Sequence, residues 1–446
     1  MNTSARIKRM VYVATGIVLI VTASHSYAQT PRTLTLEEAI SMSLQNSKQL
    51  KLSQTNVDIA ALNIRQIKEN QLPSLSVSGS YLRLNTPNLN LKIGQSSDST
   101  GGSENSTPKV NQAMYGMASA SLPIFSGFRF KYGLESAHYL EQAAKLDAES
   151  DRDAIIQNAV SAYSNLYKAK KSVDLVAENL RRERERVAEF TNREKNGMLA
   201  RNDLMKAKLQ ESNVELALLD AENDLKITTI NMDLMLGLPE NTSLAADSAS
   251  FINLKDEGVA TEWEQTALTH RKDFAANGIR QKAADSDIRV AKADFYPSVA
   301  LTAGYVALNI PGVAVIPNAM NAGIGLKYDI GSLWKSGAKI AQAKTHVYQL
   351  KTNEQILADK IHLEVNTAYY NYVLSKRKID VYAKAVEQAD ENYRITKNKY
   401  DNSLVTTTEL LDADVAQVQS RINYESAKAD AIVAYKKLEQ TAGVIN

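Results

Sequence analysis

YRITKNKYDNSLVTTTELLDADV, residues 393–415, decides the fold, because two long helical patterns meet in it with only Asp401 to Val405 between them. A break that short between two helical patterns predicts the tip of a helical hairpin. The same tip recurs at Asn192 to Leu209, NREKNGMLARNDLMKAKL. At a spacing of 206 residues, set by Ala368 against Ala162, Tyr369, Asn371, Asp380, Ala383, Asn398, Leu410, Ala413, Ala427 and Gly443 fall on Tyr163, Asn165, Asp174, Ala177, Asn192, Leu204, Ala207, Ala221 and Gly237. The match needs no gap, so the chain is a duplication built outward from two tips.

From about Arg129 to Lys195, and from about Lys335 to Tyr400, there is no proline. Each stretch is predicted as one helix of about 65 residues, roughly 100 Å at 1.5 Å per residue. Return helices are predicted over Asn202 to Leu236 and Thr406 to Glu439. The last carries a seam of mostly small residues, Ala413, Gln417, Ser420, Tyr424, Ala427, Ala431, Ala434 and Leu438, which allows close helix packing. Upstream, Thr35 to Gln71 is predicted as a helix with Thr35 as its N-cap and Glu37 and Glu38 in the first turn, ending at Pro73. This region also recurs, at a spacing of 224 residues: Leu44, Ala60, Ile64, Pro73, Ser74 and Tyr81 meet Leu268, Ala284, Ile288, Pro297, Ser298 and Tyr305. The larger spacing here means that the first half holds extra residues before its long helix. They are the low-complexity run GQSSDSTGGSENS, Gly94 to Ser106.

Around that run the periodicity changes from helical to alternating. Leu75, Val77 and Tyr81 are apolar, while Ser74, Ser76, Ser78 and Ser80 between them are polar, a period of two that predicts a strand. A second alternating run spans Tyr115 to Leu122. In the other half, Val299, Leu301, Ala303 and Tyr305 share a face, and Ala322, Ile324, Leu326, Tyr328 and Ile330 lie opposite Asn321, Gly323, Lys327 and Asp329. The predicted organisation is therefore a signal peptide over 1–28, then a first repeat over 29–237 with strands in 74–126 and a tip near 197–203. A linker over 238–258 leads to a second repeat over 259–446, with strands in 297–331 and a tip near 401–409.

Composition narrows the function. Lys and Arg number 52 against 50 acidic residues, which predicts no nucleic-acid partner. The absence of cysteine removes disulfides, thiolate catalysis, zinc-cysteine sites and a lipid-anchored N-terminal Cys. Basic Arg6, Lys8 and Arg9, the apolar run Val11 to Val21 and a small-x-small site at Ser26-Tyr27-Ala28 predict export. No later stretch holds the roughly 20 apolar residues of a spanning helix, so any membrane crossing falls to strands. Tyr81, Tyr115, Tyr305 and Tyr328 lie in predicted strands, either as an interfacial belt or as cross-strand packing. Membrane barrels need at least about eight strands, so four per chain require several chains to combine. His138, His270, His346 and His362 are scattered, without HExxH, GxSxG or a Walker loop, so no enzyme, cofactor or metal is expected.

Together, the duplication, the tip pattern Gly197 to Asp203 followed by Leu204 and Ala207, its twin Ser403 to Glu409 followed by Leu410 and Ala413, and the LGLP at Leu236 to Pro239 carry a resemblance. The chain resembles the outer membrane efflux protein family, the TolC-like channels of Gram-negative bacteria, over essentially all of the mature sequence. That resemblance implies a mixed α and β membrane protein and a homotrimer. Each chain would give four strands to one transmembrane β-barrel, and the duplicated helical hairpins would form a periplasmic tunnel. It implies an outer-membrane exit duct of a tripartite efflux or type I secretion system, with a periplasmic adaptor, an inner-membrane pump and outer-membrane lipid as partners.

Glu409 and Asp412 are i and i+3 on one helix face, and the resemblance implies that they form acidic rings at a periplasmic gate. Tyr400 and Asp203 match residues that link the two tips, so a hydrogen bond between them is expected. Met198, Leu199, Leu404 and Val405 are apolar at hairpin ends, where such a patch marks a contact; with Gly197 and Ser403 they are the expected adaptor-docking tips. Two departures stand out. Val405 occupies the position of a basic gate residue in the best-known members, with Arg201 as the candidate to replace it, and Ser403 stands where glycine is usual. An exported coiled-coil protein without a pore is the competing reading; it accounts for the helices but not for alternating strands that recur at one spacing.

Overall fold

The computed structural model describes residues 32–85, 110–240, 242–248, 255–256, 258–311 and 314–445. The predicted signal peptide and the Gly94 to Ser106 loop lie outside them. In chain order the first half is β1 (Arg32–Leu34), α1 (Leu36–Asn46), α2 (Lys48–Glu69), β2 (Ser74–Arg83), β3 (Gln112–Ser126), α3 (Arg129–Lys195) and α4 (Arg201–Leu236). The second is β4 (Leu244–Ala246), α5 (Ala260–His270), α6 (Lys272–Lys292), β5 (Ser298–Ile310), β6 (Ala314–Lys327), α7 (Ser332–Asp401) and α8 (Thr407–Thr441).

Thr35 caps α1 as expected, its hydroxyl accepting the Glu38 N–H at 3.2 Å. The helix does not run on to Gln71, however. Ser47 is extended, with φ −60° and ψ 117°, a conformation that cannot carry the helical hydrogen-bond ladder, so the predicted single helix is two. The break recurs at the spacing of 224 residues, where Arg271 has φ −65° and ψ 125° between α5 and α6. Arg271 is held by one remote and one neighbouring carboxylate: Nη1 donates to Glu364 Oε2 at 2.6 Å, and Nη2 donates to Asp273 Oδ2 at 2.7 Å. Another element without a sequence signal is the parallel pair β1 and β4, with Arg32 opposite Leu244 and Leu34 opposite Ala246. It draws the predicted linker onto the N-terminal strand. The fully buried Tyr163 fixes it, donating from its hydroxyl to Leu34 O at 2.8 Å and accepting the Asp247 N–H at 2.9 Å.

The alternating stretches form one antiparallel sheet in the order β2-β3-β5-β6. Its register lines up the two residue classes. Leu75 faces Ala120, Ala120 faces Ala303 and Ala303 faces Ala322; Val77, Ala118, Tyr305 and Met320 form the next apolar row. On the other face, Ser76, Ser119, Gly304 and Asn321 make a polar row. Toward the Lys327 end of the sheet one face is thus apolar across all four strands and the opposite one polar, a segregation that a one-residue slip would mix; farther along, Met117, Val306 and Leu308 put apolar side chains on the serine face as well. β6 ends at Lys327, so Tyr328 and Ile330, expected on the strand, lie beyond it. Among the described residues neither β2 nor β6 has a partner on its outer edge. No helix among them is long and apolar enough to cross a membrane.

The chain divides into two compact units: Met1–Ser47, Ile155–Glu257 and Ala368–Leu438 form one, and Lys48–Ala154, Gly258–Thr367 and Glu439–Asn446 the other. Both draw on both sequence repeats. The first holds the two tips, and the second holds the sheet.

Candidate functional site: the paired helical tips

Both tips are built by the same backbone device. α3 ends with the Gly197 N–H on Glu194 O at 2.9 Å and the Met198 N–H on Arg193 O at 2.8 Å. Exactly matched positions in the other repeat close α7: the Ser403 N–H meets Tyr400 O at 2.9 Å and the Leu404 N–H meets Lys399 O at 2.8 Å. This double closure satisfies carbonyls that the helix end leaves open, and it requires a left-handed residue at its centre. Gly197 takes φ 71° and Ser403 takes φ 58°. The serine therefore adopts the conformation at which its own side chain is disfavoured.

Entry into the return helices differs between the repeats. At the second tip, Thr406 and Glu409 form a reciprocal capping box: the Thr406 N–H donates to Glu409 Oε2 at 2.7 Å, and the Glu409 N–H donates to Thr406 Oγ1 at 3.3 Å. The hydroxyl of Thr406 also donates to Glu409 Oε2, at 2.9 Å. The backbone N–H and hydroxyl of Thr406 hold the Glu409 carboxyl below its ordinary range. At the first tip the matching residues are Ala200 and Asp203, and Ala200 offers no side-chain cap. Thr406→Ala is expected to cost about 1 kcal/mol of local stability at the second tip, read as faster hydrogen exchange of the amides that open α8, with the first tip unchanged.

Between the tips lies a core drawn from four helices. Phe190, Leu204, Ala207 and Leu410 are buried together, with Val187, Leu199, Tyr393 and Tyr400 packed against them. The rings of Phe190 and Tyr400 stack at 5.6 Å with 25° between their planes. Of the expected docking residues, Met198 and Leu404 are 69% and 73% exposed, so their apolar side chains cover nothing within the chain. Gly197 and Ser403 are exposed as well, whereas Leu199 and Val405 are half-buried, Leu199 packing onto the tip core. Glu409 and Asp412 are both exposed.

The structure does not bring Tyr400 and Asp203 into a hydrogen bond. The Tyr400 hydroxyl is 3.4 Å from Thr407 Oγ1, a neighbour across its own turn, because stacking on Phe190 fixes the ring. Asp203 instead accepts from Lys206 Nζ at 3.5 Å, and Lys206 also donates to Thr408 Oγ1 at 3.2 Å. The polar link from one tip to the other therefore runs through Lys206. Arg201, the candidate replacement for the basic residue missing at Val405, is exposed and makes no ion pair among the described residues.

Behind the tips sits a charged cluster that sequence reading missed. Glu183 and Asp414 are fully buried, Arg186 is nearly so, and Arg182 joins them. Arg186 Nη1 donates to Glu183 Oε1 at 2.6 Å, while Arg182 Nη2 and Arg186 Nη2 each stand 3.5 Å from Asp414 Oδ1. In the sequence, RRERER at 181–186 has the look of a solvated helix face. The only local cue is that Glu183 and Arg186 are i and i+3.

A family model described as "Outer membrane efflux protein" matches residues 39–238 and 263–444. The outer membrane efflux protein BepC of Brucella suis biovar 1 (strain 1330) is 22% identical over 436 residues, which cover 97% of this chain and 90% of that protein. Nodulation protein T of Rhizobium leguminosarum bv. trifolii is 23% identical over 390 residues, covering 85% of this chain and 78% of the relative. Among solved structures, the CmeC outer membrane channel of Campylobacter jejuni superimposes with a TM-score of 0.76 at 17% identity, covering 92% of this chain and 85% of the other.

Proposed function

Because the chain belongs to the outer membrane efflux protein family, we propose that it is the outer-membrane exit duct of a tripartite efflux or type I secretion system, conducting substrates passively from an inner-membrane pump. The protein resides in the outer membrane with a large periplasmic helical part. The observation that carries the duct is the sheet: among the described residues, four strands with apolar rows on one face, rows of serine, glycine and asparagine on the other, and both edges open. An open edge leaves a row of unpaired N–H and C=O groups, which lipid cannot satisfy, so in a membrane the edges must pair with other copies. A homotrimer closes β6 of each copy on β2 of the next, with the apolar rows toward lipid and the serine, glycine and asparagine rows lining the lumen.

The helices support the same assembly. Leu209, Leu216, Ile227 and Leu234 on α4 are exposed at spacings that keep them along one stripe, which a neighbouring copy would cover. At the periplasmic end, Met198 and Leu404 offer apolar contacts to the adaptor, together with Gly197, Leu199, Ser403 and Val405. Glu409 and Asp412, repeated in three copies, place six carboxylates around the entrance as a cation-attracting gate. Tyr400 and Asp203 act in that gate through separate contacts, on Phe190 and on Lys206.

Purified protein in a planar bilayer tests the reading. Heat-modifiable trimers with discrete single-channel conductance are expected, and trimers that never conduct would leave only an exported coiled-coil protein. Orientation is tested on whole cells, where external protease should nick the Gly94 to Ser106 loop and leave both tips intact; cleavage at residues 197 or 403 instead would invert the topology.

A further inference from the structure

Two carboxyl groups with too few donors meet inside the first unit, behind the tips. Glu183 on α3 and Asp414 on α8 are both fully buried around one guanidinium: Arg186 Nη1 bonds Glu183 Oε1 at 2.6 Å, and Arg186 Nη2 stands 3.5 Å from Asp414 Oδ1. Glu183 Oε1 is satisfied by Arg186. Its Oε2, and both oxygens of Asp414, have no hydrogen-bond donor. The two arginines near Asp414 lie at 3.5 Å, close enough for attraction but not aligned to donate. A buried acceptor left without a donor is destabilising, more so when charged, so three such oxygens around one guanidinium call for a donor. A protonated carboxyl is one.

Most of the other polar groups facing the pair are already engaged. On α3, Arg182 donates to Asn179 Oδ1 at 3.2 Å and to Gln417 Oε1 at 3.3 Å. From α7, the Tyr393 hydroxyl accepts from Arg186 Nη2 at 3.3 Å, and Asp390 accepts from Gln417 Nε2 at 2.8 Å and Arg421 Nη2 at 2.9 Å. On α8, Gln417 and Arg421 are thereby turned toward Asp390. α4 contributes apolar Ala207 and Val214 nearby, and its Glu211 and Glu215 pair with Arg184 instead. Arg182 Nε is also buried without an acceptor, yet among the described residues no hydrogen bond reaches the open oxygens of the pair.

We propose that Glu183 keeps a proton and donates it to Asp414, and that this bond joins the first hairpin to the return helix of the second so that their packing responds to pH. The proton is held on Glu183 Oε2, the oxygen that has no donor of its own, and an Asp414 oxygen accepts it. Burial and the contact with Asp414 push the Glu183 carboxyl up to about 7, against the pull of Arg186. Folded helices therefore keep a proton that separated helices release above the ordinary value of 4.5. The stabilisation is complete below 4.5 and is lost as pH rises through about 7. Over that window the opening equilibrium rises by up to about tenfold per pH unit for one linked proton. The tips are thus held more tightly in acid than at neutral pH.

Hydrogen exchange of the full-length protein in detergent, corrected for the intrinsic exchange rate, tests this at amides of α8 from Leu410 to Ser420. In wild type, protection should fall by about tenfold or more between about pH 5 and about pH 8. Glu183→Gln supplies a permanent amide donor to Asp414 and still accepts from Arg186, so its protection should stay at the acid level throughout. The same pH dependence in both proteins, or none in wild type, overturns the proposal. Infrared spectroscopy of wild type gives an answer that does not depend on the variant folding. The carbonyl stretch of a buried protonated carboxyl should be present in acid and vanish near pH 7, and its absence in acid would equally overturn the proton on Glu183.

Discussion

Replacing Phe190 with alanine is expected to open the tip, lowering its local stability by about 3–5 kcal/mol, the range for removing a buried phenylalanine. Phe190 is 1% exposed and is the largest fully buried side chain of the tip core, a cluster drawn from the four helices that meet there. Its removal leaves a cavity and takes away the surface on which Tyr400 is stacked. Tyr400 then depends on a single hydroxyl contact with Thr407. Met198→Ala serves as the comparison, since that side chain is 69% exposed and its loss should fall within about 0.5 kcal/mol. Hydrogen exchange at the tip amides reads both. A Phe190→Ala cost no larger than that of Met198→Ala would mean that the aromatic core does not hold the tips together. In planar bilayers the same variant should spend a larger fraction of time open.

Neutralising the proposed acidic rings with Glu409→Gln and Asp412→Asn is expected to abolish most of the cation preference of the channel and to raise the half-blocking concentration of a multivalent cation by about tenfold or more. The choice of substitution follows from the capping box. Alanine at 409 removes the charge and also the carboxyl oxygen that receives the Thr406 N–H, so it would loosen the helix start as well. Glutamine keeps an acceptor there and removes only the charge. In wild type, the bonds from Thr406 hold the Glu409 carboxyl below 4.5. Its negative charge therefore persists as pH falls through 4.5, and cation preference should survive acidification to that point. Ion selectivity measured across a salt gradient decides the matter: an unchanged preference in the neutral double variant would remove the acidic filter and leave the duct.

Much of the tip geometry was legible because its signals are local. T-x-x-E at 406–409 is a capping box by spacing alone, and Gly197 marks a left-handed turn wherever a helix must reverse. The pairing of Tyr400 with Asp203 was not a local property. It failed because a ring packs where its largest apolar neighbour is, and that neighbour, Phe190, lies on another helix more than two hundred residues away.

By itself, the sequence determined the duplication, the two tips at matched positions, the long helices without proline and the strands of period two. Each of these follows from the spacing of residues along a few turns or a few pleats, where geometry is repetitive. It also determined the apolar face of β2, where Leu75, Val77 and Tyr81 alternate with serines. Only the tertiary structure decided the breaks at Ser47 and Arg271, the parallel pairing of β1 with β4, and the burial of Glu183 against Asp414. In each case the deciding partner is remote in sequence. Arg271 bends toward Glu364, Leu34 and Asp247 meet on Tyr163, and a charge on an apparently solvated helix face becomes a buried one when α8 packs over it. Whether a charged side chain meets water or another carboxyl depends on which helix covers it, and no pattern within its own helix carries that information.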